Sequence, residues 1–154
     1  MRLPLWVVGV GETDREKITT VLWLSRHKML PAQIDYIARK LKNFRIVIYN
    51  KPIATAEDAV RLIRKHRAEY VIPVLPLSFI ARLVEESKKH GFKVLRADMQ
   101  LIHLCEKQPC PDYNPQTDTI VVSRDLTTGK IIYRHFRFRG FKLLKDIIFV
   151  EEDW

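Results

Sequence analysis

Apolar residues gather in short runs at 20–24, 44–49, 70–75 and 92–96, and each of the first three is followed by a stretch whose apolar positions recur three and four residues apart. Runs of that length, rich in Val, Ile, Leu and Tyr, predict strands, and the wider spacing between them predicts helices. After the first run Pro31 opens a helix carrying Ile34, Ile37, Ala38 and Leu41, because a first-turn position has no use for the N–H that proline lacks. Thr55-Ala-Glu-Asp58 has capping-box spacing and predicts a helix through about His66. A third helix follows Leu75-Pro76-Leu77-Ser78. Its Glu85 and Glu86 precede Lys88, Lys89 and His90, as the helix dipole prefers, and Gly91 stands at the left-handed stop.

Strands that alternate with helices, each strand a nearly unbroken apolar run, predict parallel pairing in a sheet covered on both faces. Pro73 inside the third run argues for an edge or a bulge there. Residues 3–10 predict one further strand, and Gly9 and Gly11 lie in a turn whose spacing fits neither standard nucleotide fingerprint. Beyond Leu104 the pattern changes. Residues 105–118, rich in Pro, Asp and Asn, predict a loop; residues 119–123 and 130–139 predict a β-hairpin around Gly129, and 146–151 a last strand. The expected fold is α/β: a small Rossmann-like parallel sheet core over 1–104, the loop 105–118, and a C-terminal antiparallel β-hairpin appendage over 119–154, all in one domain.

The charge narrows the partner. With 27 Lys and Arg against 18 Asp and Glu, the formal net charge is +9, and such a surplus raises the local concentration of anions. A nucleotide or nucleic acid is the expected partner, although solubilising surface charge reads the same way. The opening apolar run is broken too soon for a signal peptide, and no apolar window is long enough to span a membrane. A cytoplasmic protein without membrane attachment is expected.

In open parallel sheets ligands collect outside the C-terminal strand ends, where loops converge. That edge would carry Ser25, Arg26, His27 and Lys28 after the first strand, Asn50 and Lys51 after the second, and Ser78 after the third. Hydroxyls, an amide, cations and an imidazole together make a phosphate-binding set. Arg26 and Lys28 read equally well as solvated loop charges, with Ser25 capping the helix.

Ser25-Arg26-His27 after a strand, with Leu75-Pro76-Leu77-Ser78-Phe79-Ile80-Ala81 at a later helix start, resembles the small Rossmann-like CRISPR-associated ring nucleases related to CARF domains. The resemblance covers about residues 20–97. The Lys-Met-Leu after His27 departs from the small residues usual there, and the first strand and the hairpin are additions. The resemblance implies a cyclic oligoadenylate ligand, held by a C2 homodimer that matches the ring's symmetry. It also implies metal-independent cleavage, needing no cofactor, by attack of a ribose 2′-hydroxyl on the adjacent phosphorus. Arg26 would clamp the transition state, His27 would transfer the proton, and Ser25, Lys28, Asn50, Lys51 and Ser78 would bind the ring.

Two other patterns invite chemistry. His103, Cys105 and Cys110 supply three zinc ligands where a structural site needs four, so no metal is expected; a short disulfide and two plain thiols are the other readings. In the second hairpin strand, alternation puts Tyr133, His135, Arg137 and Arg139 on one face. Aromatics among cations suit single-stranded nucleic acid, which makes a binding module without catalysis the alternative function.

Overall fold

The structure, a computed structural model, describes residues 17–154 and the backbone of residues 6–8. The chain has a mixed α/β fold with three described helices. In chain order its elements are β1 (Trp6–Val8), β2 (Thr19–Leu24), α1 (Pro31–Lys40), β3 (Phe44–Tyr49), α2 (Ala56–His66), β4 (Tyr70–Pro73), α3 (Leu77–His90), β5 (Lys93–Cys105), β6 (Asp118–Arg124) and β7 (Ile131–Leu144). The glycine turn expected after β1 lies outside the described residues. Among those residues no helix is long and apolar enough to cross a membrane.

The fold divides into two compact units. The first holds the described residues up to Lys28 together with Leu41–Arg96 and Lys142–Trp154. Its strands run in the order β1-β3-β2-β4-β5. β2 is parallel to β3 on one side and to β4 on the other, β4 is parallel to the start of β5, and β1 is antiparallel to β3. β2 is hidden on both faces: Val21, Leu22 and Leu24 are fully buried and Trp23 nearly so, which is why its sequence shows no polar alternation. Leu22 and Leu24 belong to one core cluster with Val71 of β4, Val94 of β5, Ala59 and Ile63 of α2, and Leu83 and Val84 of α3.

Local sequence sets the ends of these elements. Thr55 and Asp58 form both halves of the capping box, the Thr55 hydroxyl accepting from the Asp58 N–H and the Asp58 carboxylate from the Thr55 N–H. α2 stops at Arg67 and α3 at Gly91, both left-handed. Pro73 is the last residue of β4, opposite Leu24, and the N–H that continues the pairing to the Leu24 carbonyl belongs to Val74. The proline therefore ends the strand rather than interrupting it. The strand expected over 146–151 does not form. The Asp146 carboxylate instead accepts from Lys88 and from the Ile147 N–H, while Phe149 and Val150 face solvent.

The second unit holds Met29–Lys40 and Ala97–Phe141: helix α1, the far part of β5, the loop before β6, and most of the hairpin. In it β7 lies between β5 and β6, and β6 and β7 pair antiparallel from Asp118 opposite Arg137 to Arg124 opposite Ile131. α1 begins at Pro31, as expected. Gln33 reaches back so that its Oε1 accepts from the Leu30 N–H, closing the first turn. The aromatic core of this unit is Tyr36 against Phe138 and Phe141, all edge to face. β5 is far longer than the strand expected over 92–96, because its second half alternates polarity and was not an apolar run.

Candidate functional site

Two constellations stand out, one in each unit. The first forms where the parallel strands end. The Ser25 N–H donates to the Tyr49 carbonyl and the Val74 N–H to the Leu24 carbonyl, and past those bonds the three loops separate. Between them lies a cleft of about 230 Å³ lined by Leu24, Ser25, Arg26, His27, Lys51 and Pro52, with Ile53, Val74 and Leu75.

The loop after β2 is held by its own residues. The buried Trp23 indole donates to the His27 carbonyl at 2.9 Å, and the buried Ser25 hydroxyl accepts from the His27 N–H at 3.0 Å. Ser25 therefore fixes the loop rather than capping α1. Arg26, His27, Lys28 and Lys51 are exposed, and among the described residues no carboxylate pairs with Arg26, Lys28 or Lys51. Some cations of this unit are matched: Arg82 meets Glu57, Glu85 and Glu86, and Lys88 meets Asp146. The cleft thus carries uncompensated positive charge.

Not every expected residue arrives there. Lys28 and Asn50 sit on the loops that border the cleft without lining it. Ser78 lines a separate depression with Arg82, Glu85, Lys88 and Asp146, where carboxylates already balance the cations. Ser78 is the second residue of α3.

The second constellation includes residues of the expected nucleic-acid face. His135 is 0% exposed. Arg137 donates twice to the Asp118 carboxylate across the hairpin, at 2.8 and 2.9 Å, and once to the Asp112 carbonyl. Arg139 donates to Gln100 at 2.6 Å, and Tyr133 is half-buried. Of these four, which alternation put on one face, His135 is buried and Arg137 is engaged by Asp118, while Arg139 remains exposed.

His135 instead joins the three residues that seemed one ligand short. His103 and Cys105 lie two apart at the end of β5, hence on one face of the strand, Cys110 comes from the following loop, and His135 from the middle of β7. One ligand atom from each lies within 4.8 Å of all the others. His103 Nε2 stands 2.9 Å from Cys110 Sγ, 3.7 Å from Cys105 Sγ and 3.1 Å from His135 Nδ1, and His135 Nδ1 stands 3.5 Å from Cys110 Sγ. Both cysteines are free and buried. Burial, then the Cys110 thiol beside it, pushes the Cys105 thiol up to about 11.

Sequence reasoning missed Asp118 altogether. Its carboxylate is fully buried and accepts from His135 Nε2 at 2.7 Å, from Arg137, from the Thr117 hydroxyl and from the Asn114 N–H. The Arg137 guanidinium first, then the other donors, hold it ionised well below the usual carboxylate range. Its only signal in the sequence was an acid residue at the start of a strand. Comparisons with protein-family models, with curated proteins and with solved structures find no match to this chain.

Proposed function

We propose that the first unit is a Rossmann-like nucleotide-binding fold whose ligand is a phosphate ring held at the C-terminal ends of β2 and β4. What supports the reading is topological. From β2 the chain goes to β3 on one side and then returns to β4 on the other, so the crevice between the ends of β2 and β4 is a switch point, the usual ligand position in such sheets. The cleft lined by Arg26, His27 and Lys51 opens there.

The carrying observation is that cleft's unmatched charge: two cations and an imidazole converge where no described carboxylate competes for them. A cyclic oligoadenylate suits this chemistry, and two copies of the cleft related by a two-fold axis would suit its symmetry. In cleavage the 2′-oxygen of one ribose forms a bond to the adjacent phosphorus as the 5′-oxygen leaves. The products are a 2′,3′-cyclic phosphate and a 5′-hydroxyl. Arg26 stabilises the charge that builds on the phosphoryl oxygens, and His27 takes the proton released by the 2′-hydroxyl and gives the leaving 5′-oxygen one. Lys51 and the bordering Lys28 hold neighbouring phosphates; Ser25 keeps the loop in shape, and Ser78 has no part.

Incubation of the protein with tetra-adenylate or hexa-adenylate rings, without added metal, tests this by chromatography of the products. Linear products ending in a cyclic phosphate are expected, with Arg26→Ala slowing turnover about 100- to 1,000-fold. Rings bound but never opened would reduce the function to sequestration. Failure to bind either ring would overturn the reading.

A further inference from the structure

We propose that His103, Cys105, Cys110 and His135 bind one structural zinc ion. For bond lengths of about 2.05 Å to nitrogen and 2.3 Å to sulfur, a tetrahedral ion sets its ligands roughly 3.3 Å (N to N) and roughly 3.6 Å (N to S) apart. The separations of 3.1 Å between the two imidazole nitrogens, and of 3.5 and 3.7 Å for two of the nitrogen–sulfur pairs, match that figure. The 2.9 Å between His103 Nε2 and Cys110 Sγ is shorter, and Cys105 Sγ lies nearer His103 Nδ1, at 3.0 Å, than Nε2; both contacts would open slightly around an ion.

The surroundings point the same way. With Nε2 donating to the Asp118 carboxylate, a neutral His135 ring keeps its lone pair on Nδ1, and Nδ1 is the atom that faces the cluster. Metal-bound histidines are regularly oriented by such a carboxylate. Asp118 is in turn fixed by Arg137, Thr117 and Asn114. The ring orientation is thus built by residues that do not themselves touch the cluster's centre.

The donor set names the metal and its role. Two thiolates with two imidazoles suit zinc, and four protein ligands leave no open position for substrate, which is the mark of a structural site. Two thiolates also cancel the charge of a divalent ion, so the centre can be buried without a net charge. The ion would tie the end of β5, the loop before β6 and the middle of β7 together. That loop has no regular secondary structure and so lacks the hydrogen-bond ladder that orders its neighbours. The inference does not depend on the ring-binding reading, since every residue in it lies in the second unit.

The test uses the full chain, purified under reducing conditions, freed of metal and titrated with Zn²⁺ and then Co²⁺. One equivalent of each is expected to bind, and the Co²⁺ form should show the intense visible bands of a tetrahedral site with thiolate charge transfer. Asp118→Asn should retain the stoichiometry and the cobalt spectrum but bind Zn²⁺ about 10- to 100-fold more weakly, measured against a chromophoric chelator. The proposal fails if the reduced chain takes up no Zn²⁺ in proportion to protein. It fails equally if the cobalt spectrum lacks a thiolate band, or if Cys105→Ser/Cys110→Ser binds as tightly as the parent. A Cys105–Cys110 disulfide that forms in the purified protein, with no metal bound after its reduction, would also overturn it.

Discussion

At Gly140 the backbone of β7 takes φ +144° and passes against the Tyr36 ring, so that a Cβ placed there would lie 3.1 Å from Tyr36 Cε2. Residues with side chains rarely adopt that conformation, and strain of this kind costs on the order of 1–3 kcal/mol. The close approach adds to it, because Tyr36 is held by Phe138 and Phe141 at 5.9 and 5.6 Å between ring centroids and has little room to yield. Gly140→Ala should therefore lower stability by about 2 kcal/mol or more, read as a lower urea midpoint at unchanged slope. A midpoint that did not move would mean that β7 relaxes freely here. Tyr36 and Gly140 lie far apart in sequence, so neither residue announces the other. Their relation belongs to the fold alone.

Among the elements, α2 owes its start to Thr55 and Asp58. Thr55→Ala removes the hydroxyl that accepts from the Asp58 N–H and should cost about 1 kcal/mol in chemical denaturation. The effect should depend on pH. Hydrogen bonds from Thr55, then from Arg61, lower the Asp58 carboxyl below its ordinary value of 3.8. A carboxylate whose folded-state value is depressed contributes stability above the unfolded value and loses it as the pH falls through the folded one. The gap between parent and Thr55→Ala should accordingly narrow in acid below about pH 3.8; a gap independent of pH would show that the Thr55 side chain does not stabilise the ionised Asp58 carboxylate.

This element was legible from four letters, as were β2, β3, the stop at Gly91 and the strand-end position of Arg26, His27 and Lys51, because each follows from local period or capping. The extension of β5 was not. Half-exposed strands alternate, and Ala97-Asp98-Met99-Gln100 reads as surface until its partner is known. Nor was the fourth ligand. His135 is separated from His103 by 32 residues, and its place in the hairpin suggested an exposed basic face until Asp118 was found beneath it.

The two units draw their stability from different sources. The first has an extensive apolar core of its own, from Leu22 and Leu24 through Ala59, Ile63, Leu83 and Val94. The second relies on a few aromatics, on the Asp118 hydrogen bonds and, by the inference above, on one ion. Proteins open region by region, and segments with few apolar contacts open first. Removing zinc with a chelator at neutral pH should therefore speed amide exchange through residues 106–117 and the paired part of β6 and β7. The amides of β2 and β4, closed in on both sides by parallel neighbours, should exchange as slowly as before. Acceleration by a common factor in every strand would mean that the whole chain unfolds as one cooperative body and that the ion holds up both units. No change anywhere would mean that the aromatic core and Asp118 order the hairpin without metal.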